Sequence, residues 1–91
     1  MSVNVKLFYP ALQSLLSDPD DFRLDGTTVG ECLADLLGRH PQAERLLFDS
    51  KGDLQKQVYV FVNQEGMFKA PLDRPVKDTD TLLIAVLAIG G

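Results

Sequence analysis

The sequence predicts an α+β domain, a small sheet with one main helix packed on one of its faces. Three observations predict it. Val3, Val5, Leu7 and Tyr9 alternate with Asn4, Lys6 and Phe8, and Val58, Val60 and Val62 alternate with Tyr59, Phe61 and Asn63, which is the period-two pattern of strands with one buried face. Between them, Val29, Cys32, Leu33, Leu36 and Leu37 recur at i, i+3, i+4, i+7 and i+8, an apolar stripe along one side of a helix. The apolar run from Leu82 to about Val86 reads as a last strand, because its length and flanks suit a strand better than a helix.

The elements follow in order. Pro10 ends the first strand. The pattern Ala11, Leu12, Leu15, Leu16 is too short to assign, and Ser17 to Asp21 is a turn cluster. Phe22-Arg23-Leu24 reads as a short returning strand closed by Asp25-Gly26. The helix runs from Thr28 to about Arg39. Thr28 and Glu31 form a capping box, in which the hydroxyl accepts the Glu31 amide and the carboxylate reaches back. Gly38 and Pro41 supply the stop, one by tolerating a left-handed conformation and the other by lacking an amide. Glu44 to Phe48 reads as a short second helix, Asp49 to Asp53 as a loop, and Gln57 to Asn63 as a strand. Gln64-Glu65-Gly66 turns that strand, Met67 to Lys69 is its brief hairpin partner, and Pro71 to Pro75 is a loop that Leu72 pins to the core. In this arrangement Val3, Val5, Leu7, Val58, Val60, Val62, Leu82 and Ile84 face the helix stripe.

The 91 residues hold one domain, spanning 1–91. A chain this short buries about 60–65% of its unfolded surface, enough for one modest core and too little for a large self-contained enzyme. Hydrophobic residues at 45% and charged residues at 24% exclude a disordered tail or a collagen-like repeat. Nine Lys and Arg against 13 Asp and Glu give a net charge of −4, which argues against binding through nucleic-acid phosphates. The single cysteine, Cys32, allows no internal disulfide and no clustered metal site. With no signal peptide at its start the chain reads as cytoplasmic. The apolar run Leu82 to Ile89 is eight residues long, whereas a spanning helix needs about 20.

The opposite strand parity places Phe8, Tyr59, Phe61, Leu83 and Ala85 on the face that the main helix does not cover. Contiguous apolar surface of that kind marks an interaction site, unless a loop or the second short helix covers it. The usual catalytic residues offer little. Cys32 lies on the helix stripe and reads as an inert core thiol. His40, the only histidine, stands near the helix C-terminus with no Ser or Cys partner in the pattern. Asp18, Asp20 and Asp21 lack calcium-loop spacing and read as a solvated turn. No glycine-rich phosphate loop and no cofactor motif is present.

The sequence ends in Ala88-Ile89-Gly90-Gly91. Two terminal glycines arise by chance about once in 200 chains. A tail free of Cβ atoms threads a narrow channel and adopts conformations closed to other residues. It delivers a carboxylate, on a tail of about residues 87–91, roughly 10–15 Å beyond the sheet.

A compact α+β domain whose last strand runs into Gly90-Gly91 resembles the ubiquitin-like β-grasp sulfur carriers (the MoaD/ThiS family), with a mixed four- to five-stranded sheet. The resemblance spans essentially the whole chain. Val3 to Leu7 looks like the family's first strand, Thr28-Val29 with Leu33, Leu36 and Leu37 like its helix, and Asp78 to Leu82 like its acidic turn into the last strand. Glu44-Arg45-Leu46-Leu47 and Val60-Phe61-Val62-Asn63 look closest to the cysteine-synthesis (CysO-like) carriers, whereas the thiamine carrier lacks most of Gln42 to Gln57. The chain departs from the family in having Val86-Leu87-Ala88-Ile89 where many members carry a proline, and Thr79 where the acidic turn has a glycine.

The resemblance implies that the chain is a sulfur-carrying protein substrate and not itself an enzyme. An E1-like adenylating enzyme of the MoeB/ThiF type activates the Gly91 carboxylate with ATP, and a sulfur donor then converts it to a thiocarboxylate. A sulfur-accepting synthase in cysteine or specialised-metabolite biosynthesis receives the sulfur, and a JAMM-type protease trims any longer precursor. Gly91 and Gly90 are the reacting end; Phe61, Tyr59, Leu83, Phe8 and Ile89 are the docking residues; no metal or cofactor is bound. Two alternatives stand beside this reading. One is the small subunit of molybdopterin synthase in molybdenum cofactor biosynthesis, and the other is a ubiquitin-like protein modifier.

Overall fold

Strands that alternate at both ends of a chain can share one core with a helical stripe between them only if they pair into a single sheet beneath the helix. The computed structural model, which describes residues 2–18, 21–63 and 71–87, does this. Its elements are β1 (Ser2–Phe8), α1 (Pro10–Gln13), β2 (Phe22–Asp25), α2 (Val29–Arg39), a 3₁₀ turn (Pro41–Ala43), α3 (Glu44–Leu47), β3 (Val58–Val62) and β4 (Thr81–Val86). The described strands form one mixed sheet in the order β2-β1-β4-β3. β1 and β4 run parallel at its centre, with β2 antiparallel to β1 and β3 antiparallel to β4.

The predicted inward set is the core. Val3, Val5, Leu7, Val58, Val60, Val62, Leu82 and Ile84 are all buried against Val29, Cys32, Leu33 and Leu36 of α2. Each fully buried aliphatic side chain contributes roughly 1.5–3 kcal/mol over its exposed state. Tyr9 closes the end of β1 from the same side, its hydroxyl donating to the Leu46 carbonyl at 2.8 Å, so α3 also lies on the helix side of the sheet.

The ends of α2 correct two details of the sequence reading. Thr28 Oγ1 accepts the Glu31 amide as expected, at 3.1 Å. The Glu31 carboxylate, however, reaches one residue further back and takes both the amide and the hydroxyl of Thr27 at 2.8 Å, two donors in place of one. At the other end the helix passes through Gly38 to Arg39, with His40 as its cap at φ −135° and ψ 81°. Gly38 is thus an interior helical residue, and the imino residue Pro41 makes the stop.

The loop from Pro71 is held differently from expectation. Leu72 is 41% exposed and pins nothing, while Val76 is 4% exposed and joins the core. The segment is fastened by its backbone. Gly30 donates to the Leu72 carbonyl at 2.7 Å, Val29 to Arg74 at 3.0 Å, and Val76 to Thr27 at 2.9 Å. The otherwise orphaned amides of the first turn of α2 are thereby used internally. The expected turn at Gln64-Glu65-Gly66 and the hairpin partner Met67 to Lys69 lie outside the described residues.

One edge of the sheet is closed by an ion pair. Asp35 and Arg39, one helical turn apart on α2, meet at 2.7 Å. Asp35 accepts the Asp25 amide at 2.9 Å and Arg39 donates to the Arg23 carbonyl at 3.1 Å, so two of the backbone groups that β2 turns away from β1 are occupied.

Candidate functional site

The outer face of the sheet gathers residues that are far apart in the sequence. Strand pairing sets them in rows. Ala85 of β4 stands between Phe8 of β1 and Tyr59 of β3, and Leu83 stands between Lys6 and Phe61. Adjacent strands are about 4.8 Å apart, so each row is a contiguous strip of surface. The Tyr59 and Phe61 rings stack at 6.1 Å with an interplanar angle of 16°. Phe8 is 61% exposed.

Four of the expected docking residues, Phe8, Tyr59, Phe61 and Leu83, therefore do come together. Ile89, Gly90 and Gly91 lie outside the described residues. Sequence reasoning passed over Leu87, whose outward parity follows from Leu83 and Ala85. Leu87 is 51% exposed and its amide donates to the Gln57 carbonyl at 2.9 Å, so it prolongs both the ladder and the apolar strip beyond β4. It also passed over Lys6, the outward neighbour of Leu83. Period-two counting from positions already in hand finds both.

β4 is aimed at its start by a polar clasp. Asn63, with a left-handed φ of 56°, follows β3. Its carboxamide donates to Asp80 at 2.9 Å and accepts the Thr81 amide at 2.8 Å. The remaining Asp80 oxygen accepts the Lys77 amide at 2.8 Å. These bonds hold the Asp80 carboxyl below the usual carboxylate range, the Asn63 bond contributing most. β4 ends at Val86, and the four residues of the sequence after Leu87 amount to at most about 13–14 Å of extended chain.

The conventional catalytic side chains lie apart from the outer face. Cys32 is fully buried and its thiol is pushed up by burial first and by Asp35 next, the opposite of an activated nucleophile. His40 sets its ring against Phe22 at 6.4 Å. Asp18 and Asp21 are exposed, Asp20 lies outside the described residues, and no group of His, Cys, Asp and Glu suited to a metal occurs among those described. A shallow cleft of about 420 Å³ on the helix side is lined by Leu37, Glu44, Phe48, Asp49, Ser50 and Gly52, away from the outer face. No described helix is long and apolar enough to cross a membrane.

No protein-family model and no curated protein matches the sequence. Solved structures do match over nearly its full length. The structure of SAMP1 from Haloferax volcanii superposes with a TM-score of 0.79 at 29% identity, covering 100% of both chains. A chain of the BexX/CysO complex from Amycolatopsis orientalis superposes with a TM-score of 0.74 at 30% identity, covering 96% of this chain and 99% of that one. CysO from Mycobacterium tuberculosis, described as an antigen, gives a TM-score of 0.74 at 26% identity, covering 93% of this chain and 100% of its own.

Proposed function

Because the chain belongs to the ubiquitin-like β-grasp sulfur carriers, we propose that its working group is the Gly91 carboxylate and that the folded domain serves to present it. An E1-like enzyme catalyses attack of this carboxylate on the α-phosphate of ATP, releasing pyrophosphate and leaving an acyl adenylate. A sulfur donor then attacks the carbonyl carbon, AMP departs with the electron pair of the broken C–O bond, and a thiocarboxylate remains. Its sulfur is a stronger nucleophile than the oxygen it replaces and attacks an activated substrate held by a sulfur-accepting synthase, in the cytoplasm. If the chain is made longer, a protease first has to expose Gly91.

The observation that supports this reading is a fold shared with CysO whose central strand β4 ends at Val86, in a sequence that closes on Gly90-Gly91. The outer apolar face around Phe61, Tyr59, Leu83 and Phe8, with Ile89 beside the diglycine, supplies the docking surface. The domain carries no internal chemistry of its own in this reading, and the catalysis belongs to its partners. That the Amycolatopsis CysO structure is a complex with BexX supports a protein acceptor.

A second reading has a specific observation behind it. The likeness to the small archaeal modifier protein SAMP1 favours attachment of Gly91 to lysine amines of other proteins, through the same adenylate. Intact mass spectrometry after incubation with cell extract, ATP and sulfide separates the two. The oxygen-to-sulfur mass increment at Gly91 supports the carrier, a ladder of heavier conjugates supports the modifier, and neither product in the presence of a competent activating enzyme overturns both. Deletion of Gly91 is expected to abolish either product and leave thermal unfolding unchanged, since a terminal residue of this kind contributes few buried contacts.

A further inference from the structure

The outer sheet face has a charge pattern that the whole domain does not. The chain carries 13 Asp and Glu against nine Lys and Arg. Yet the outward positions of β1, β4 and β3, namely Ser2, Asn4, Lys6, Phe8, Thr81, Leu83, Ala85, Tyr59 and Phe61, include no carboxylate and one cation. That cation, Lys6, is exposed and makes no ion pair among the described residues. The next cation outward, Arg23 of β2, is committed to Ser2 Oγ at 2.8 Å, to the Ser2 carbonyl at 2.7 Å and to the Asp78 carbonyl at 3.3 Å. Among the described residues Lys6 is thus the unpaired charge of the β1, β4 and β3 rows, two strand spacings or about 10 Å from Phe61.

We infer that this face fits a partner surface that is apolar at its centre and carries a carboxylate opposite Lys6, and that Lys6 selects that partner. The inference rests on the sulfur-carrier reading and takes the partner to be the adenylating enzyme. Apolar burial over Phe8, Phe61, Leu83 and Leu87 is non-directional and does not distinguish one greasy surface from another. A lone charge at the margin does, because it attracts a matching carboxylate and is left unpaired by a wrong partner. The rest of the domain adds to the selection. A body with a net charge of −4 repels an acidic surface least at the outward rows of β1, β4 and β3, which hold no carboxylate, while Asp25, the outward carboxylate of β2, is paired with Arg39 at 3.4 Å.

The test is ATP–pyrophosphate exchange by the cognate E1-like enzyme with wild-type protein and the Lys6→Arg, Lys6→Ala, Lys6→Glu and Phe61→Asp variants, each first shown to melt like wild type. Lys6→Arg is expected to match wild type. Lys6→Ala raises KM about threefold and Lys6→Glu at least about tenfold, with kcat at saturation within about twofold. The wild-type KM rises with ionic strength, and the Lys6→Ala KM does so much less. If Lys6→Glu leaves KM and its salt dependence unchanged while Phe61→Asp raises KM, the assignment to Lys6 is wrong and the docking face stands. If neither variant changes KM, the docking face is wrong as well. Absence of exchange with wild-type protein overturns the carrier reading and this inference with it.

Discussion

Asn63 and Asp80 clasp the start of the last strand, the Asn63 carboxamide donating to Asp80 Oδ1 at 2.9 Å. The Asn63 amide also donates to the Thr81 carbonyl at 2.8 Å, so one residue bonds β4 through both backbone and side chain. It does so from a left-handed backbone, φ 56°, which asparagine tolerates far better than alanine. Asn63→Gly loses the carboxamide but keeps the backbone conformation, whereas Asn63→Ala loses both. The alanine variant is expected to be less stable than the glycine variant by about 1 kcal/mol. Urea midpoints for the two variants measure this difference, and equal midpoints contradict it.

The same clasp predicts the acid limb of the stability curve. Hydrogen bonds lower the pKa of two carboxyls, Asp80 through Asn63 and then Lys77, and Glu31 through the backbone and side chain of Thr27. A carboxyl whose folded value is depressed stabilises the fold above its unfolded value, and that contribution disappears as pH falls through the folded value. The loss therefore begins near pH 4 and continues below it. The Asp80→Asn, Glu31→Gln double variant is expected to show a flatter dependence of melting temperature on pH in that window, with the curves parallel at neutral pH. A double variant whose acid limb matches wild type removes these two carboxyls from the explanation.

What the sequence made legible was decided by locality. Period-two alternation identifies the two faces of each strand without reference to its neighbours, which is why the inward valines and the outward Phe8, Tyr59, Phe61 and Leu83 were both readable. The cap Thr28 was equally local. Strand order is not in that pattern, and so the rows joining Lys6 to Leu83 and Phe61 needed the sheet. Leu72 failed for a different reason. Hydrophobicity says that a side chain gains from burial, but here the chain is fastened by the Leu72 carbonyl on Gly30, and a backbone bond leaves no mark on residue type. Gly38 failed because glycine at a helix end and glycine in a last turn look alike in sequence. The proposed reacting end, by contrast, is read from Gly90-Gly91 alone.

Gly38 offers a direct discrimination. It is an interior helical residue, and a Cβ added to it would meet no atom within 4 Å, so it should accept alanine freely. Gly38→Ala is expected to stabilise the domain by about 0.7 kcal/mol through helix propensity; a left-handed cap at this position would instead make it destabilising. Gly26 is the contrasting site. A Cβ there would lie 2.7 Å from the Cys32 backbone nitrogen and 2.9 Å from the Glu31 carbonyl carbon, so backbone has to move. Gly26→Ala is expected to cost about 2 kcal/mol. Thermal melts of the two single variants carry the opposite signs that this predicts.

Cys32 should behave as a reporter of unfolding. Its side chain is fully buried in α2 and burial raises its thiol pKa, so both access and thiolate population are low. A thiol-reactive chromogenic disulfide is expected to leave the native protein unmodified and to label one thiol per chain in denaturant. Under native conditions the slow labelling rate should follow the global opening equilibrium, as measured by urea dependence. Rapid labelling of folded protein would place Cys32 outside the core.

Phe8 gives the cleanest test of the outer face, because its exposure separates binding from folding. At 61% exposed it contributes little to the core, so Phe8→Asp should change stability by no more than about 0.5 kcal/mol. It nonetheless places a carboxylate in the row with Ala85 and Tyr59, where a partner's apolar surface would have to desolvate it. In ATP–pyrophosphate exchange with the adenylating enzyme, KM for Phe8→Asp is expected to rise at least about tenfold. Leu72→Asp is the matched control. Leu72 is also exposed, at 41%, but it lies beside Gly30 on the helix side of the sheet, and the same charge placed there should leave KM where it was. Equal effects at the two positions would mean that the added negative charge, and not the docking face, controls the reaction.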